Sequence, residues 1–200
     1  LDGVYYRAAI DAQKEHPLDG LVRARLSDYQ ARGVCLLRDG GDAWGVSLRA
    51  RELAGEYGID YRSPAFPIYR RGHYGAFIGR GFDTEDEYRA LLDEAGEKRA
   101  DFIKLMISGL IDFDHFGVLT EPGPEPQDIR RMIELAHAAG FAVMAHANGD
   151  RAVTAALQAR VDSIEHGAYL SESVLLRMAQ QRTLLSLIHI SEPTRPISIS

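Results

Sequence analysis

The sequence predicts an α/β fold, an incomplete (β/α)8 TIM barrel with about strands 2 to 6 and the start of strand 7. Three observations predict it. Short, continuous apolar runs alternate with segments of helical period, the pattern of a parallel sheet covered by helices. Polar residues able to do chemistry fall at the ends of those runs, where a barrel keeps its working groups. There is no GxGxxG after the first run and no GxxxxGK[ST] anywhere, so the usual nucleotide-binding sheets lose support.

The elements follow in order. "YYRAAIDAQKE" and "GLVRARLSDYQARG" carry apolar residues at helical spacing. "GVCLLRDGGD" is a buried strand closed by a Gly/Asp turn. "WGVSLRARELAGEYG" is helical and stops at Gly58. "IDYRSPAFPIY" is a weaker strand, cut short by Pro64 and Pro67. "TEDEYRALLDEAGEKRA" is a helix with Thr84 as N-cap and acidic residues in its first turn, where the helix dipole favours them. Then come strand "FIKLMIS", helix "EPQDIRRMIELAHAAG", strand "FAVMAHA", helix "DRAVTAALQAR", strand "VDSIEH" and helix "SESVLLRMAQQ". "RTLL" opens one more strand.

Composition narrows the partners. The chain has 200 residues, 46% hydrophobic and 26% charged, with a net charge of −6. That is enough apolar material for a core, and the acidic balance points away from nucleic acid and from anionic membranes. Cys35 is the only cysteine, so no internal disulfide can form, which fits a reducing, cytoplasmic setting. No apolar run approaches the roughly 20 residues that span a bilayer. No signal peptide is visible, although the chain opens on Leu1 rather than Met.

The end of the chain reads differently. Residues 185–195, "LSLIHISEPTR", are what a transposase-type sequencing adaptor would encode if read in frame. Residues 1–184 are therefore read as a partial barrel domain and 185–200 as a non-native tail, set aside like an expression scar. His189 falls in that tail and carries no weight.

The strand ends hold the chemistry. His146 and His166 close two successive strands, and a barrel brings such ends to one mouth. Neutral imidazoles bind Zn2+, and a catalytic zinc usually has three protein ligands and an open position. Two histidines are too few. Lys104, on the preceding strand between Ile103 and Leu105, is the candidate third partner. A lysine buried in an apolar strand is costly. It is relieved by a depressed pKa, or by reaction with CO2 to give an anionic carbamate. The plainer alternatives are structural: strand-end histidines held by hydrogen bonds, and a strand lysine in a salt bridge. His73, in "RRGHYG", could line the mouth with Tyr74, whereas His137 packs or is solvated on its helix, and His16 and His115 lie in loops. Asp114 and Glu165 are candidate partners for ring N–H groups.

"GVCLLRDGGD", "DFIKLMISG", "AVMAHANGDRAVTAAL" and "DSIEHGAYL" together resemble, in order and approximate spacing, the amidohydrolase superfamily. The nearest likeness is to imidazolonepropionase-related and Xaa-Pro or Xaa-Arg dipeptidase-like members. The resemblance implies a (β/α)8 barrel holding one or two metal ions, usually Zn2+. It implies Lys104 as a carboxylated bridging ligand and His146 and His166 as ligands from strands 5 and 6. Two parts of the family pattern are absent: the first-strand HxH pair and the last-strand Asp that shuttles the proton. Both absences fit truncation at each end, so the catalytic residue itself is unassigned.

The implied activity of the longer parent is hydrolysis of a C–N bond in a small amide or dipeptide-like substrate, with His73 and Tyr74 as substrate contacts. Homo-oligomeric assembly of that parent stays open. One alternative is deamination of a cyclic amidine or nucleobase at a mononuclear site. Another is a barrel without catalysis. The 200-residue chain alone is expected to be inactive, because an open barrel leaves strand edges unpaired.

Overall fold

The computed structural model describes Ala8 and residues 11–186. Part of the first predicted helix, residues 5–7 and 9–10, and residues 187–200 of the predicted tail lie outside the described residues. Helix α1 (Asp19–Ala31) leads to strand β1 (Leu36–Arg38) and helix α2 (Val46–Ala54). A 3-10 turn (Gly55–Tyr57) then ends at Gly58, whose φ of 67° is the left-handed stop expected of it. Strands β2 (Asp60–Arg62), β3 (Pro67–Arg70) and β4 (Arg80–Phe82) precede helix α3 (Glu85–Glu97). The rest alternates strictly: β5 (Ile103–Met106), α4 (Pro126–Ala138), β6 (Val143–Ala147), α5 (Gly149–Gln158), β7 (Ser163–His166), α6 (Glu172–Gln181) and β8 (Leu184–Ser186). Leu185 and Ser186, the first residues of the predicted tail, pair with β7.

Every strand pairing in the two sheets is parallel. One sheet is β1–β2 and the other runs β4–β3–β5–β6–β7–β8. Two findings differ from the sequence expectation. The weak strand over "IDYRSPAFPIY" is two strands, β2 serving β1 and β3 serving β5. The chain breaks between them because Pro64 has no N–H to donate and Ala65 turns to a φ of 65°. Strand β4 was not expected. It is reached by a short loop that folds hard against β3, and a Cβ on Gly79 would sit 2.7 Å from the carbonyl oxygen of Pro67. Only glycine permits that approach.

Period-two alternation gives the sheet a helix face and an inner face. Ile68, Leu105, Ala145 and Ile164 point to the helices and are at most 1% exposed. On the opposite face, Pro67, Lys104, Met144 and Ser163 form one level, and Tyr69, Met106, His146 and Glu165 the next. The sheet curls about this inner face. Arg38, on β1, donates from Nη2 to Ser163 Oγ at 3.0 Å and to Glu165 Oε1 at 2.9 Å, both on β7. A flat sheet at ~4.8 Å per strand would separate these strands by about 19 Å, beyond the reach of one side chain. The main core lies between the larger sheet and its helices, and a smaller one lies among α1, α2 and the residues leading into β2.

The helix signals act as read. Thr84 Oγ1 accepts from the Glu87 N–H at 3.2 Å and caps α3. Thr84→Ala is expected to cost about 1 kcal/mol, measurable by urea unfolding. Among the described residues, no helix is long and apolar enough to cross a membrane.

Candidate metal centre

His146 is 2% exposed and faces inward from β6. Its Nε2 lies 3.3 Å from the carbonyl oxygen of Gly109. Burial, and then the charges of His166 and Lys104, push the imidazole down to about 3, so it is neutral at physiological pH. His166 reaches the same place by a different route. It stands opposite Ala147 in the ladder, one position beyond the pair His146–Glu165. Simple alternation would turn it toward the helices. Instead its φ is 74°, and the Gly167 N–H bonds back to Glu165 O at 3.1 Å. This i→i+2 bond around a positive φ makes a γ-turn of the rarer, strained kind. The turn brings the His166 ring to 4.6 Å from that of His146, edge to face.

Lys104 lies one level deeper on the same face and is 7% exposed. Burial lowers its amine to about 8, against the attraction of Glu165, with the positive charge of Arg38 adding to the lowering. Glu165 is taken up by Arg38.

The remaining predicted residues are placed as follows. The Tyr74 ring lies 5.0 Å from that of His146. The Tyr74 backbone N–H donates to Glu121. His73 Nδ1 is 3.4 Å from Glu121 Oε2, a contact that lacks hydrogen-bond geometry. Asp114 is exposed on the loop after β5, where Asp112, not Asp114, contacts the His115 ring at 3.1 Å. His137 contacts Asp162 at 2.9 Å on the outer surface.

Three residues that tie this region together are not singled out by the sequence. Glu121 joins the His73 and Tyr74 loop to the β5 loop. Asn148 ties strand ends together: its backbone N–H donates to Ser108 Oγ, its Nδ2 to Gly109 O, and its Oδ1 accepts from Ala168 N–H at 3.0 Å. Arg38, at the end of β1, reaches Ser163 and Glu165 on β7. Asn148 follows His146 by two residues, so its neighbourhood was the one available signal. Beside it opens a cavity of about 530 Å³, lined in part by Leu119, Glu121, Arg151 and Tyr169.

The donor set fits a metal in part. Two imidazoles, one of them held neutral by burial, meet on adjacent strands beside a lysine whose amine is easily freed. Among the described residues no group of three or more His, Cys, Asp or Glu side chains converges, so a third ligand has to be Lys104 or come from outside the described residues.

Comparison with protein-family models and with curated proteins finds no match. Solved structures do match. An uncharacterized protein is 26% identical, with a TM-score of 0.65 over 78% of this chain and 42% of its own. A Xaa-Pro dipeptidase with methionine in its active site is 19% identical, with a TM-score of 0.68 over 82% of this chain and 45% of its own. An amidohydrolase is 23% identical, with a TM-score of 0.57 over 78% and 43%. The chain thus spans less than half the length of each. In fold, this chain is a partial α/β barrel similar to sections of these proteins.

Proposed function

We propose that the chain supplies metal-binding strands of a hydrolase that cleaves a C–N bond in a small amide or dipeptide-like substrate. The observation that carries this reading is the His146–His166 pair, brought edge to face by a strained turn. Strain of this kind persists where function selects it. A bound divalent ion, Zn2+ foremost, would polarise the scissile carbonyl and acidify a water.

The chain's own residues prepare the site. His146 offers a neutral ring without first shedding a proton. Lys104 is close enough to neutrality to add CO2, the amine nitrogen bonding to carbon and releasing a proton. The product is an anionic ligand on the face that carries the histidines. His73 and Tyr74 are the substrate contacts, at the rim where Glu121 holds their loop and the 530 Å³ cavity begins. The proton-shuttling Asp implied by the resemblance has no counterpart in this chain, so no residue here is given that step.

Calorimetric titration with Zn2+ tests the reading. The chain should bind the ion, and His146→Ala and His166→Ala should each weaken binding by at least about tenfold. Equal binding by the wild-type chain and both variants would refute the site.

A further inference from the structure

We infer that Arg38 is a positioning residue for His166, acting across the barrel through Glu165. The inference rests on the metal-site reading above and adds to it the device that sets one ligand's direction. A γ-turn with positive φ on a non-glycine residue relaxes unless its flanks are fixed. The flank after His166 is fixed by the backbone: Gly167 N–H donates to Ala147 O at 3.1 Å and Ala168 N–H to Asn148 Oδ1 at 3.0 Å. The flank before it is Glu165. Its carboxylate, on the inner face, receives Arg38 Nη2 at 2.9 Å, and the same nitrogen donates to Ser163 Oγ two residues earlier. One guanidinium therefore grips both inward side chains of β7 just ahead of the turn.

The grip is long-range, 127 residues along the chain, and it spans the inside of the curled sheet. Without it a carboxylate only 11% exposed would lose its cation and seek another. Glu165 would then shift, and the peptide leading into His166 with it. Arg38 also lies over the Phe102 ring at 5.6 Å, so packing has to be separated from pairing.

The test uses the 200-residue chain with Arg38→Met, Arg38→Lys and Glu165→Gln. Methionine keeps apolar bulk over Phe102, lysine keeps the cation, and glutamine removes the carboxylate's charge. Two readouts are taken on each variant: imidazole nitrogen–proton NMR spectra of the zinc-free chain, assigned with His146→Gln and His166→Gln, and Zn2+ affinity. Thermal unfolding confirms that each variant is folded. Arg38→Met and Glu165→Gln should both move the His166 ring signals and weaken Zn2+ by roughly tenfold, as loss of an outer partner does. Arg38→Lys should recover part of both. If Arg38→Met folds and leaves the ring signals unchanged, or retains more than Arg38→Lys, the inference is overturned. If Arg38→Met does not fold, the ring signals of Glu165→Gln decide in the same way. If the wild-type chain binds no Zn2+, the metal reading falls, while the ring signals still decide the role of Arg38.

Discussion

Lys104→Met should make the protein more stable at neutral pH, by up to about 3 kcal/mol, while removing a ligand of the proposed site. The unfolded lysine titrates near 10.5, and burial brings the folded amine to about 8. Below pH 8 both states hold the proton, and the native state carries the full cost of a buried ammonium. Between 8 and 10.5 the native state releases its proton first, so stability rises with pH. The advantage of methionine is therefore largest below pH 8 and gone above 10.5. Met106 and Met144 flank the position on the same face, so a methionine there has apolar company. Urea unfolding of both chains across this range measures the effect. A variant less stable than the wild type below pH 8 would show that Lys104 is held by structural bonds and is not a strained ligand.

Acid should unfold the protein through His146. Its unfolded ring titrates near 6.5 and its folded ring near 3. Above 6.5 both states are neutral and the histidine costs nothing. As pH falls below 6.5 the unfolded state takes a proton that the native state refuses, and stability drops by up to about 4–5 kcal/mol on reaching pH 3. His146→Gln should flatten that part of the profile. Zn2+ should leave in the same window, because protons compete for the ligands. Equal acid sensitivity of the wild type and His146→Gln would assign the loss to other groups.

What was legible in the sequence was what local rules govern. Thr84 and Gly58 mark helix ends through caps that involve a few adjacent residues. Strands β5, β6 and β7 announce themselves as apolar runs because both faces of the sheet are covered. Strand β4 does not, because Arg80–Phe82 is short, polar at its start and dependent on glycines that let it lie against β3. The split between β2 and β3 could be suspected from Pro64, but the left-handed turn at Ala65 could not.

The same division runs through the site. His146 and His166 are visible as polar residues ending apolar runs, and Lys104 as a charge inside one. In the observed register, alternation alone would place Glu165, not His166, beside His146, and nothing in "SIEHG" demands the γ-turn that overrides it. The pairing of Arg38 with Glu165 joins residues too far apart in sequence for any pattern to connect them.

The most direct measurement is a zinc X-ray absorption spectrum of the Zn2+-loaded chain beside that of His166→Ala. The expected spectrum shows two imidazole nitrogens at about 2.0–2.1 Å, falling to one in the variant. A spectrum with oxygen ligands alone, or one that His166→Ala leaves unchanged, would contradict the convergence of His146 and His166 on a single metal.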